Sequence, residues 1–134
     1  MIVGLDTSVV VRLLSGEPRH LALAALRYVE ERRDAGDPIR VSDWVLAETY
    51  YAFQHHYGAS KQDTLDALRS FLSTEGIEGD GEVPAVLDTA GLASAKPGFV
   101  NRVIHAHYQR GGVDEMATFE RAAAKLPGVN VLGA

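Results

Sequence analysis

Three carboxylates in this 134-residue chain stand where they could do chemistry, and each also has an ordinary structural use. Asp6 directly follows the short apolar run of residues 2–5, which reads as a buried strand, and precedes the helical pattern that begins near Val9. In open parallel sheets, functional groups gather beyond the carboxyl ends of strands. Asp6 is therefore a candidate metal-binding carboxylate; its ordinary use would be a helix N-cap, which the neighbouring Thr7 and Ser8 could supply instead. Glu48 lies amid apolar and aromatic neighbours, from Trp44 to Phe53, which argues against a broad solvated face, although a helical Glu is ordinarily just exposed. A half-buried Glu48 would need a partner, and a cation is one candidate. Glu120 follows an expected short strand at residues 115–117 and opens a helix, as Asp6 does. Its ordinary use would be favourable placement at a helix's positive end, worth about 0.3–1 kcal/mol.

The elements that must position these groups alternate between strand and helix. Short strands are expected at residues 2–5, 39–41, 77–83, 115–117 and 129–132. Helical patterns fill residues 9–14, 20–35, 43–56, 61–73, 85–94, 99–110 and 119–126, punctuated by Gly16, Gly36-Asp37-Pro38, Gly58, Pro97-Gly98 and Gly111-Gly112. Ser42 or Asp43 is placed to cap one helix, and Ser60-Lys61-Gln62-Asp63 forms a capping box for the next. Such alternation implies an α/β fold with a mostly parallel sheet covered on both faces. No repeat, low-complexity tract or long linker divides the chain, and a single domain over residues 1–134 is expected.

Composition narrows the class. With 46% apolar and 23% charged residues the chain has the make-up of a packed globular protein. There are no cysteines, which excludes disulfides and thiolate-based zinc sites. A basic leader and a span of about 20 apolar residues are both missing, so a cytoplasmic location without membrane association is expected. The net charge of −5 argues against gripping nucleic acid by bulk charge. That excess sits in one segment: Glu75, Glu78, Asp80, Glu82 and Asp88 fall in residues 70–95, which hold no Lys or Arg.

The ordered set of motifs resembles the PIN domain family and, within it, the VapC-type toxins of bacterial toxin–antitoxin pairs. GLDTSVVVRLL (residues 4–14) is similar to the family's strand–Asp–Thr–Ser/Asn–helix opening. VLAETYYAF (45–53) resembles its central helix with the characteristic Glu. FVNRVIHAHYQRGG (99–112) and MATFERAAAKLPGVNVL (116–132) resemble its closing unit. The resemblance implies a PIN-like three-layer α/β/α sandwich with a mostly parallel central sheet. It also implies an acidic site at Asp6, Glu48, Asn101 and Glu120, with Ser8 and Thr118 as supporting hydroxyls.

That site would hold Mg²⁺ or Mn²⁺ for hydrolysis of RNA phosphodiester bonds, since hard oxygen ligands suit such ions. The implied partners are an RNA substrate, a cognate antitoxin and a second copy of the chain in a homodimer. Arg102 and Arg121 follow Asn101 and Glu120 directly and are candidates to meet RNA phosphates, although exposed helical Arg is commonly plain solvation. His105, a lone His, reads as a surface residue. Trp44, Tyr50, Tyr51 and Phe53 could stack bases, but core or dimer packing is the more ordinary use. Apolar stripes on the helices near 20–35 and 60–73 exceed one core's needs and suit an antitoxin groove or a dimer.

Three positions depart from the family pattern. Asn101 stands where Asp is expected, Glu120 where Asp is usual, and Gly98 where many relatives carry a further Asp. Metal binding is expected to be weakened and catalysis impaired. The alternative is a catalytically silent PIN domain that binds RNA or protein. A flavodoxin-like small-molecule binder would need a glycine-rich phosphate loop after the first strand, and residues 6–10 hold no glycine.

Overall fold

Short β-branched runs make the strands of the first unit. In the computed structural model, which describes residues 1–133, β1 (Val3–Gly4), β2 (Ile39–Val41) and β3 (Ile77–Gly79) pair in the order β1-β2-β3, all parallel. Ile39 and Val41 go fully inward while Arg40 stays exposed and pairs across the strands with Glu78 at 3.2 Å. This alternation fixes the register: a slip of one residue would turn Arg40 into the core.

The intervening helices are α1 (Thr7–Ser15), α2 (Arg19–Asp34), α3 (Asp43–His55) and α4 (Lys61–Leu72). Two of the expected caps form as read. The Ser42 hydroxyl accepts from Val45 N at 3.2 Å, and the Ser60 hydroxyl accepts from Asp63 N at 3.0 Å. Gly16 closes α1 in the left-handed region at φ 71°, where a side chain would be strained. At the start of β2, Asp37 accepts from the Met1 ammonium at 2.8 Å and from Arg32 Nη1 at 3.0 Å. The ammonium's hydrogen bond, foremost among several causes, holds the Asp37 carboxyl below its ordinary value. A carboxyl lowered on folding adds stability above its unfolded pKa, which is lost as pH falls through the lowered value.

The chain divides at Pro84 into two units, residues 1–84 and 85–134. Helix α5 (Val83–Leu87) begins in the first and ends in the second. The second unit continues with a 3₁₀ turn (Leu92–Ser94), α6 (Phe99–Arg110), β4 (Met116–Thr118), a 3₁₀ turn (Arg121–Lys125) and β5 (Val129–Val131). β4 and β5 also pair in parallel. The architecture is thus α/β with parallel pairing throughout, as expected of a PIN-like fold.

Two expected helices are shorter than read. Residues 85–94 do not form one helix, because Gly91 at φ 64° breaks the path between α5 and the 3₁₀ turn. Residues 119–126 form only the 3₁₀ turn, with Glu120 at its N-cap. The apolar stripe of α4 is also not surplus: Leu65, Leu68 and Phe71 are buried in the core. Only α2 keeps its surplus, with Leu21, Leu23, Leu26 and Tyr28 exposed.

Candidate functional site

In the first unit the chain brings Asp6 and Glu48 into one arrangement. Asp6 occupies the N-cap position of α1, immediately beyond β1, yet its side chain makes no capping hydrogen bond. Thr7 and Ser8 are the first residues of the helix and do not cap it either. The Thr7 hydroxyl instead donates to Glu48 Oε1 at 2.8 Å, across 41 residues of sequence. Beside it, the Ser8 hydroxyl donates to Asp6 Oδ2 at 3.3 Å. Two carboxylates are therefore held by consecutive hydroxyls at the carboxyl end of β1. Neither makes an ion pair with Lys, Arg or His among the described residues.

Glu48 takes the ordinary exposed place of a helical Glu and not a half-buried one. It lies on the open face of α3, because its apolar sequence neighbours Val45, Leu46 and Tyr50 turn to the opposite face. Trp44 and Tyr51 share the open face with Glu48. The aromatic residues thereby separate: Tyr50 is core, Phe53 half-buried, and Trp44 and Tyr51 exposed.

The second unit positions the other candidates. Asn101 is exposed in the first turn of α6, three residues after the N-cap Gly98. Arg102 is half-buried and donates Nε to Pro97 O at 2.7 Å, so part of its guanidinium holds the loop that enters α6. Glu120 is exposed and its Oε1 accepts from Ala122 N at 3.3 Å, while Thr118 Oγ1 accepts from Glu120 N at 3.0 Å. Glu120 thus caps a 3₁₀ turn with its side chain, where charge placement at the start of a helix was the ordinary expectation. Arg121 is exposed.

His105 is not a surface residue. Its ring is buried, with Nε2 2.7 Å from Pro127 O, and it ties α6 to the turn before β5. The nitrogen facing a carbonyl must carry the proton. His105→Ala should lower stability by about 0.5–1.5 kcal/mol by removing that bond, since Gln109 Nε2 still donates to the same carbonyl at 3.2 Å. Urea unfolding would check this, and an unchanged midpoint would contradict it.

Against a curated protein named VapC ribonuclease, from Aquifex aeolicus (strain VF5), the chain is 25% identical over 123 residues, 91% of this chain and 90% of that one. The likeness to a VapC ribonuclease runs the length of the chain. No family model matches, and no solved structure matches.

A VapC-type resemblance implies hard-ion ligands, and the first unit offers a fitting donor set. Asp6 and Glu48 present carboxylate oxygens with no competing cation, and Mg²⁺ typically takes only one or two protein carboxylates. No group of three or more His, Asp or Glu side chains gathers to hold a metal among the described residues.

Two contributors were not legible beforehand. Thr7 bridges β1 and α3, a contact that nothing in the local sequence announces. Asp43, read as an alternative cap for α3, accepts instead from Glu82 N at 2.8 Å and Val83 N at 3.0 Å, holding the start of α5. A depression of 680 Å³ lies elsewhere, at the amino ends of β2 and β3, lined by Asp37, Glu75 and Glu78 among others. Ligands of parallel sheets gather at the carboxyl ends.

Proposed function

We propose that this chain is a metal-dependent endoribonuclease of VapC type, held in check by an antitoxin, with activity reduced by Asn101 and Glu120. The observation that carries this is the Asp6–Ser8 and Thr7–Glu48 arrangement at the carboxyl end of β1. The likeness to a VapC ribonuclease along 91% of the chain supports it.

Phosphodiester hydrolysis needs an activated water and a counter-charge for the developing phosphorane, and bound Mg²⁺ or Mn²⁺ supplies both. Asp6 and Glu48 would hold the ion. Thr7, by donating to Glu48 Oε1, fixes the carboxylate's rotation and leaves Oε2 free to coordinate. Ser8 does the same for Asp6 through Oδ2. Asn101 and Glu120 are proposed as further ligands, with Thr118 in support and Arg102 and Arg121 toward RNA phosphates. The test is RNA cleavage by purified, antitoxin-free protein in Mg²⁺ or Mn²⁺. Cutting abolished by chelator is expected, and no cutting under any condition would remove the ribonuclease assignment.

A silent binding module is the second reading. Two observations favour it: Asn101 brings no charge, and the Glu120 carboxylate already serves Ala122 N.

The antitoxin is proposed to lie on α1 and α2. Cavities of 220 Å³ and 410 Å³ there are lined by Leu13, Leu23 and Leu26 and by Val9, Leu21 and Tyr28. Such an apolar groove suits an amphipathic partner helix, and a homodimer is proposed alongside. Leu23→Asp with Leu26→Asp should weaken the antitoxin's grip about 10²-fold, as loss of a buried anchor does. Titration with antitoxin peptide would show it, and unchanged affinity would place the partner elsewhere.

A further inference from the structure

The open face of α3 carries a row of rings that the carboxylate pair does not use. Trp44, Glu48, Tyr51 and His55 stand at i, i+4, i+7 and i+11, so one helix face carries all four. Trp44 is 83% exposed and Tyr51 49%. The Tyr51 and His55 rings stack, with centroids 6.1 Å apart and planes at 21°. Aromatic side chains contribute most when buried, so a row left this open points to an occupant.

We infer that Trp44 and Tyr51 are base-stacking residues, which take unpaired RNA bases on either side of Glu48. This rests on the ribonuclease proposed above and identifies how its substrate is gripped. The competing occupant is a second copy of this chain, and two features favour RNA over it. The row is built of flat rings rather than aliphatic chains, and every base offers a face on which such rings stack. Residues 43–55 contain no Lys or Arg, so this helix offers phosphates no cation and any grip on a nucleotide falls to its base. The row is also continuous with the candidate centre, since Glu48 is the residue that Thr7 holds.

Trp44 is the chain's single tryptophan, so its emission reports on this face alone. The experiment titrates the full-length protein, in chelator so that nothing is cut, with a single-stranded oligoribonucleotide. An abasic strand of equal length and charge is the control. Binding is followed in parallel by anisotropy of the labelled strand, and dimerisation by sedimentation. Quenching of Trp44 by the oligoribonucleotide but not by the abasic strand is expected. Trp44→Ala and Tyr51→Ala should each raise Kd about tenfold or more, with Trp44→Phe restoring part of the loss. Binding without quenching, or no binding, would overturn the inference. So would emission that shifts with protein concentration in step with dimerisation, which would assign the face to a second copy. Cleavage measured separately in Mg²⁺ keeps the two proposals distinct: quenching without cutting removes the ribonuclease and leaves the stacking face, whereas cutting without quenching does the reverse.

Discussion

Asn101→Asp is expected to raise metal-dependent RNA cleavage by about 10²-fold. Asn keeps the shape of Asp but brings no negative charge, so its amide oxygen can coordinate an ion only weakly. Two unit charges about 4 Å apart at an effective dielectric near 20 attract by roughly 4 kcal/mol, which sets a ceiling near 10³ in rate. Asn101 is exposed in the first turn of α6, so solvent screening lowers that ceiling to the expected figure. Glu120→Asp should add a smaller gain, since it draws the carboxylate back by about 1.5 Å, and misplacements near 1 Å can cost around 10² in rate. Initial rates on one RNA in Mn²⁺ would decide. Equal rates for the native chain and Asn101→Asp would mean that this position does not limit the chemistry.

The second large effect concerns stability. Gly81→Ala should destabilise the chain by about 2–4 kcal/mol, because the new methyl would collide with the Asp43 carboxylate, falling against Oδ2 and 2.5 Å from Cγ. Gly81 does not lie in the left-handed region, so the cost comes from space and not from backbone conformation. The carboxylate cannot yield freely, since it accepts from Glu82 N and Val83 N at 2.8 and 3.0 Å. Hydrogen bonds to a charged group are worth about 1.5–3 kcal/mol each. Asp43→Ala should therefore cost a similar amount, and Gly81→Ala in that background should add little, since the obstacle is gone. Urea unfolding of the four proteins gives the coupling. Additive losses would show that Gly81 acts through something other than Asp43.

These two cases mark what the sequence announces and what it withholds. Phe99–Arg110 was legible to the residue, because Pro97-Gly98 and Gly111-Gly112 bracket an uninterrupted helical pattern. Ser42 and Ser60 were legible as caps because their partners lie three residues on. Asp6 was legible as an acid beyond a strand. Its lack of any capping bond was not, since Thr7 turns away to Glu48. The Thr7–Glu48, Asp43–Val83 and His105–Pro127 contacts span 41, 40 and 22 residues, and no local pattern encodes such pairings. Whether Glu48 would be open or half-buried was not decided by its apolar sequence neighbours, because a helix turns them to its other side. The broken stretch at residues 85–94 kept apolar spacing while Gly91 left the helical path, so periodicity overstated the helix.

The central claim is that Asp6, held by Ser8 beside the Thr7–Glu48 bridge, is the ion-holding group of a ribonuclease. The most direct test compares Asp6→Asn with the unaltered residue, both in the Asn101→Asp background, for RNA cleavage in Mn²⁺ and in chelator. The substitution removes a charge at nearly constant shape, and Asp6 makes no capping bond that it could break. The account predicts Mn²⁺-dependent cutting that falls at least about 10²-fold with Asp6→Asn while the unfolding midpoint stays unchanged. Cleavage that survives Asp6→Asn, or that proceeds equally well in chelator, would contradict it.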